Sequence, residues 1–403
     1  MSPHQITKRG LPYDNDDTGK RENTQVSTRQ WNRFFSSVPV KHIIDIITSV
    51  TSKGFSGKTT EMAQYSEHHR TTISHFLSKG KWDDVRLEGA LSHKCHEYIQ
   101  RSAQEKGAPV FLSIDDTVNP KKKPSSKAER PMEGGAFVYS HLLGKTVWGH
   151  QAMAALISDG DTALCYKLER CGKNDAGKIE QAVEIASSLP KAENPCYALM
   201  DSWYTCPKLI DAFSAKGYHT IGALKTNRII YPQGIRISIN EFASTCIHKS
   251  DANLVTVGKD RYWVYRYEGK LNGIDNAVVL ISYSEKAFGI PQALRAFLCT
   301  DTEMDTSEIL RYYRNRWDIE VFFKQQKNIF GFDGYQMRSA KGIERFWLLL
   351  SLAAFYCVVS RSMSLGPAAR DCRAAVSADV AFVIYCAGRD GIPFDTIPLA
   401  CVC

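Results

Sequence analysis

The sequence predicts an α/β fold, an α+β mixed sheet with helices on its faces. Two observations carry that prediction. Between residues 108 and 224 the hydrophobic pattern runs strand, strand, strand, helix, strand, helix, strand, an order that builds a mixed sheet. Two of those strands, 110–114 and 196–200, are short and mostly apolar, and each runs directly into aspartate. Asp115 and Asp116 follow the first and Asp201 follows the second. A third feature, a long helix over residues 309–330, returns the chain to helical periodicity after a β-rich stretch.

The elements follow in order. Residues 1–30 are rich in Asp, Asn, Thr, Lys and Arg and read as a disordered arm. Residues 31–107 are helical. Within them, 59–82 has the form of a helix-turn-helix, with a first helix over 60–66 and a second over 70–78. The second would bury Ile73, Phe76 and Leu77 and expose Arg70, Thr71, Thr72, Ser74 and His75, side chains suited to phosphate and base-edge contacts. A plain helical hairpin explains the same segment equally well.

In the central region, 110–114, 137–143, 146–157 and 164–168 read as strands, with Gly144-Lys145 making a hairpin connection. Residues 178–188 have helical spacing. Then come strand 196–200, helix 207–216 ended by Gly217, and strand 218–224. Residues 108–224 thus form the first part of a core. Residues 225–295 look like a β-rich insertion, with candidate strands at 235–239, 254–257, 262–267 and 277–283. Residues 296–363 complete the core, and 364–403 form a tail of ambiguous character.

Composition limits the function. The chain has 403 residues, 43% hydrophobic and 23% charged, enough to bury sizeable cores. A formal charge of +8 favours a polyanionic partner. Its 12 cysteines include no C-x2-C, and His93, Cys95, His96 and the Cys401, Cys403 pair have no second ligand pair nearby, which argues against zinc. No signal peptide is evident. The longest apolar run, 346–359, is too short to cross a bilayer and reads as a core helix. The expected setting is the cytoplasm, associated with the nucleoid, and no membrane.

The helix over 309–330 carries Tyr313, Arg316, Glu320 and Lys327, spaced Y-x2-R-x3-E-x6-K. At about 100° per residue these four fall within about 60° of one another. Apolar residues flank the stripe on both edges: Leu310, Trp317 and Val321 on one, Tyr312, Ile319, Phe323 and Phe330 on the other. A solvated face should lie opposite an apolar one, not between its halves. Burying Glu320 there is costly unless a cation or ligand compensates.

In open sheets, ligands collect at the carboxyl ends of strands. Asp115 and Asp201 placed there, with Glu320 on a following helix, form a set of hard oxygen donors suited to two divalent ions. Such ions would be Mg2+, with Mn2+ able to substitute. Either Asp115 or Asp116 could supply the first donor. Adjacent strand residues point to opposite faces, so only one should face the metal.

At these residues the chain resembles the DDE transposases of prokaryotic insertion sequences, in the branch with the Tyr-Arg-Glu-Lys signature. The matching segments are FLSIDDT (111–117), ALMDSWY (198–204) and YYRNRWDIEVFFKQQK (312–327). The resemblance spans roughly 108–360 and implies an RNase H-like catalytic core. It implies Mg2+-dependent cleavage at the terminal inverted repeats of its own element and strand transfer into target DNA. Asp115, Asp201 and Glu320 would be the metal ligands, with Asp115 preferred over Asp116 because Thr117 follows two residues on. Tyr313, Arg316 and Lys327 would hold DNA phosphates. The partners implied are double-stranded DNA, at element ends and target, and a second copy of the chain in a synaptic homodimer. Two competing classes are a non-catalytic DNA-binding regulator derived from such an enzyme, and an RNase H-like nuclease without strand transfer. Lys121, Lys122 and Lys123 could track DNA or form a solvated loop. Trp203 and Tyr204 fit core packing better than base stacking. His141 and His150 read as structural.

Overall fold

The computed structural model describes residues 37–140, 142–172 and 176–375. The predicted arm, His141 and most of the tail lie outside them. Four helices come first: α1 (Ser37–Thr51), α2 (Thr59–Met62, continued by a 3-10 turn to Tyr65), α3 (Arg70–Lys79) and α4 (Asp84–Lys106). On α3, Ile73, Phe76 and Leu77 are buried, while Arg70, Thr71, Thr72 and His75 are exposed.

The core strands are β1 (Val110–Pro120), β2 (Ala136–Ser140), β3 (Lys145–Ser158), β4 (Ala163–Arg170), β5 (Cys196–Met200) and β6 (His219–Leu224). Helices α5 (Ala176–Ser188) and α6 (Pro207–Ser214) are the crossovers to β5 and β6. The order β4-β3-β1-β5-β6, with β3 antiparallel to β1 and the last three strands parallel, is the order of an RNase H-like core. Alternate residues of β1 serve two cores. Val110, Leu112 and Ile114 pack in the larger one, and Phe111 packs with Tyr197 and Leu199 in the smaller.

The first strand departs from the sequence reading. It continues through both aspartates to Pro120, because β3 pairs with it there, Asp115 opposite Ala154 and Asp116 opposite Met153. The strand that stops is β5, at Met200 opposite Ile114. The donor edge predicted at the end of two strands is therefore the edge of one strand and the flank of its longer neighbour.

The β-rich segment contains β7 (Ile229–Ile230), β8 (Ile237–Ser238), β9 (Asn253–Val257), β10 (Asp260–Leu271), β11 (Ile274–Ser284) and β12 (Arg295–Cys299). It extends the same sheet, since β12 pairs with β6. The predicted strand 235–239 shrinks to β8 and is followed by helix α7 (Ile239–Thr245). Ile239, Phe242 and Ala243 are buried at helical spacing, which outweighs the short alternation before them. Strand β12 has no counterpart in the sequence reading.

The predicted helix 309–330 is two helices, α8 (Thr306–Tyr313) and α9 (Trp317–Phe330), joined by a 3-10 turn at Arg314–Arg316. Helical dihedrals persist through the turn, so the four signature residues stay on one side. One further correction concerns its faces. Trp317, expected on an apolar edge, is 61% exposed. Phe322 and Gln326, on the side of the helix away from the signature stripe, are also buried. Residues 365–375 are helical and cover that side: Arg373 donates to the Ile329 carbonyl, and Gly366 packs against Gln325. Helix α10 (Ala340–Arg361) has the length of a membrane span, but 72% of its apolar window is buried inside the protein.

Candidate active site

Asp115 lies on β1 one residue past the Ile114–Met200 pair, beside Asp201, which leaves β5. Local geometry fixes each carboxylate. Asp201 Oδ1 accepts from the Trp203 and Tyr204 amides at 2.8 and 3.0 Å, and Thr205 Oγ1 donates to the Asp201 carbonyl at 2.7 Å. A Cβ at Gly222 on β6 would stand 2.3 Å from Thr205 Oγ1, so this turn needs glycine on the neighbouring strand. Asp115 Oδ1 accepts from the Asp116 amide at 2.8 Å.

Burial pushes the Asp115 carboxyl up to about 7. The Asp116 amide opposes that shift, the charges of Asp201 and Asp116 add to it, and Arg316 opposes it. Arg316 is the cation that contacts the acids directly. Its Nη1 is 3.5 Å from Asp115 Oδ2, and its Nη2 donates to Glu320 Oε1 at 2.5 Å. One guanidinium thus stands between two of the three acids. The Tyr313 ring lies 5.9 Å from that guanidinium and 4.8 Å from Phe297.

Asp116 faces the other way. Tyr204 OH donates to its Oδ1 at 2.7 Å, Gln151 Nε2 donates to its Oδ2, and Lys178 Nζ is 3.6 Å off. Tyr204 is 1% exposed. The neighbouring aspartate is therefore an acceptor within the fold. Gln151 and Lys178 escaped the sequence reading; a glutamine inside the apolar strand 146–157 was the available signal.

Lys327 Nζ donates to Thr117 Oγ1 at 2.8 Å and to the Val118 carbonyl at 3.1 Å, which places it on the Asp115 side of β1. Burial lowers its pKa. Lys121 is tied to the Asp333 and Tyr335 carbonyls and lies over the Tyr335 ring at 3.6 Å, so of the three lysines only Lys122 and Lys123 are exposed. His150 bridges Tyr335 OH and the Glu133 carbonyl, each at 2.8 Å, deep in the core. Cys95 donates to the Cys165 carbonyl. Arg70, Thr71 and Thr72 form a separate surface on α3, with no hydrogen bond or ion pair to the acids.

An open cleft of about 630 Å³ borders the site, lined by Arg311, Tyr313, Arg314, Asn315, Arg316, Trp317 and Asp318. Asp115, Asp201 and Glu320 form a donor set of hard oxygens, the kind Mg2+ takes. Among the described residues no three such donors converge as they stand, because Glu320 is turned to Arg316. The Asp201 and Asp116 charges crowding Asp115, and the arginine beside it, both mark a place that favours positive charge.

Carboxylates where a central strand ends, with an arginine between two of them and a lysine on the same face of β1, are suited to binding phosphodiesters. The chain belongs to the transposase DDE domain family, whose model matches residues 107–356, more than half of its length. Among solved structures it is similar to the Mos1 strand transfer complex, at 14% identity, 54% of this chain, 60% of that chain and a TM-score of 0.17. It is also similar to a pre-cleavage Mos1 transpososome (13%, 54%, 61%, 0.17) and to the Mos1 mariner paired end complex with Mn (13%, 54%, 61%, 0.17). The chain thus spans about three fifths of those Mos1 chains. No curated protein matches the chain.

Proposed function

We propose that the chain is an insertion-sequence transposase of the Tyr-Arg-Glu-Lys branch. It cleaves DNA at terminal inverted repeats and joins the freed 3′ ends to target DNA. The observation that carries this reading is the placement of Asp115 beside Asp201 with Arg316 bridging Asp115 and Glu320. In this reading residues 31–107 form the DNA-reading region. Residues 108–224 and 296–363 make up the catalytic core around the 225–295 insertion. The setting is cytoplasmic, on the nucleoid, and two copies act together because two element ends must be held at once.

Arg316 serves two states. Without DNA it pairs with both Asp115 and Glu320. A phosphate entering between Tyr313 and Lys327 competes for the same guanidinium, and Glu320 is released to face Asp115 and Asp201. Those three carboxylates would hold two Mg2+ ions, or Mn2+, which polarise the phosphate and stabilise the attacking and leaving oxygens. Tyr313, Arg316 and Lys327 orient the cleaved strand, and Arg70, Thr71 and Thr72 on α3 contact the element end away from the cut.

Glu320→Gln tests the assignment. It should abolish Mg2+-dependent cleavage of an end-labelled duplex carrying the element end while leaving binding of that duplex within about threefold. Undiminished cleavage would remove Glu320 from the site.

A further inference from the structure

The reading helix is bolted to the catalytic half at two points. The first is Arg345 on α10, 6% exposed and reaching out of the catalytic core. Its guanidinium makes six hydrogen bonds. Nη1 donates to the carbonyls of Phe76 (3.4 Å), Leu77 (3.3 Å) and Gly80 (2.8 Å). Nη2 donates to the Trp82 carbonyl (3.0 Å) and Asp84 Oδ1 (2.9 Å), and Nε to the same Oδ1 (3.1 Å). These acceptors are the last turn of α3, its connection, and the first residue of α4. The Phe76 carbonyl also accepts from the Gly80 amide and the Trp82 indole, so the fork reinforces that end of α3, and it grips both helices of the pair at once. The guanidinium also lies 4.5 Å over the Trp82 ring, which stacks on Phe76 at 5.2 Å. One turn earlier, Lys341 pairs with the same Asp84. Beside it, Gly342 packs on Ser78 so closely that a Cβ there would stand 3.5 Å from Ser78 Cβ.

The second point touches the signature helix. Gly331 caps the end of α9 with φ +62°. A Cβ on Gly57 would lie 2.3 Å from the Gly331 carbonyl oxygen, and one on Gly334 would lie 1.7 Å from the Ser56 carbonyl oxygen. The loop before α2 thus lies flush on the end of the helix that carries Glu320 and Lys327. Glu61 holds that loop by accepting from the Ser56 amide (2.7 Å) and hydroxyl (2.6 Å).

Apolar packing would suffice to cover α3, and burying a guanidinium carries a desolvation cost that such packing avoids. A planar fork with six bonds adds something packing lacks, a defined rotation and height of α3 relative to α10. We propose that Arg345 is a positioning residue that sets the distance and rotation between the reading helix α3 and the carboxylate site, and so sets the phosphate at which the DNA is cut. The proposal rests on the reading of α3 as a DNA-contacting helix. The substrate it governs is a duplex gripped at one place by α3 and cleaved at another beside Asp115.

The test uses the full chain, Mg2+ and an end-labelled duplex of the element's own terminus, with cut positions mapped to the nucleotide. Wild type should cut one phosphate. Arg345→Lys and Arg345→Met should bind the duplex within about threefold of wild type yet spread cleavage over neighbouring phosphates. In the Arg345→Met background, Ser78→Cys with Gly342→Cys should restore the single cut when oxidised glutathione closes the disulfide, and lose it on reduction, since their spacing suits that bond. An unmoved cut in Arg345→Lys, or in Arg345→Met with the disulfide open, overturns the proposal, whatever the rate. A joint Arg70→Ala, Thr71→Ala, Thr72→Ala variant separates the two ideas. Unchanged end binding overturns the reading of α3 and this proposal with it. Weakened binding alongside an unmoved cut in the Arg345 variants overturns the proposal alone.

Discussion

Asp115 and Asp116 are neighbours in sequence, and their replacement by alanine should give opposite phenotypes. Asp116 accepts from the Tyr204 hydroxyl at 2.7 Å and from Gln151, in a place where Tyr204 is almost fully buried. A hydrogen bond to a charged acceptor contributes about 1.5–3 kcal/mol, and a buried hydroxyl left without a partner costs about 1–3 kcal/mol. Those figures overlap in what they count, so about 3 kcal/mol is the expected loss for Asp116→Ala. Asp115 has no such partners. Its bonds are to the amide of the next residue and, at 3.5 Å, to Arg316, and its charge is crowded by Asp201. Asp115→Ala should change stability by less than about 1 kcal/mol. The assays are urea unfolding in EDTA and Mg2+-dependent cleavage of the labelled end. Asp115→Ala should fold normally and cut at background, while Asp116→Ala should unfold at lower urea and cut in proportion to its folded fraction. A stable, inactive Asp116→Ala, or an active Asp115→Ala, would refute the reasoning.

Two further outcomes are expected. Burial holds the His150 imidazole below its ordinary pKa of 6.5, with Arg170 and Lys121 acting in the same direction against the Glu133 carbonyl. A base whose folded pKa is depressed stabilises the fold above its unfolded pKa and loses that contribution as pH falls through it. The stability advantage of wild type over His150→Gln should therefore be constant from pH 8 to 7 and shrink as pH falls below 6.5; a pH-independent difference in unfolding midpoints would contradict it. Gly334→Ala forces a methyl into the Ser56 carbonyl and should cost about 2–4 kcal/mol, read as a lowered melting temperature; a neutral melt would show that the close approach of the two loops is not required.

Much of the fold was legible because it follows local periods. Helix α3 declares itself through Ile73, Phe76 and Leu77, and strands β5 and β6 through short apolar runs. Helix α7 was missed although its buried Ile239, Phe242 and Ala243 are helically spaced, because a two-residue alternation before them reads as strand. Strand β12 was missed because Arg295–Cys299 is too short to show a period and owes its strand state to β6 and β11 on either side.

The site divides along the same line. Sequence alone supplied the candidates: Asp115 or Asp116, Asp201 and Glu320 as acids, and Tyr313, Arg316 and Lys327 on one side of a helix. Spacing along a helix or strand is a property of the local chain, and it survives even the 3-10 turn at Arg314–Arg316. Only the tertiary structure decided which of two adjacent aspartates turns toward Asp201. Strand alternation says that they differ, but the choice rests on distant groups, with Tyr204, Gln151 and Lys178 gathered on one face and Arg316 on the other. The Arg345 fork is of the same kind. Its acceptors are more than 260 residues earlier in the chain, and no local pattern can announce a bond that exists only once the two ends of the fold have met.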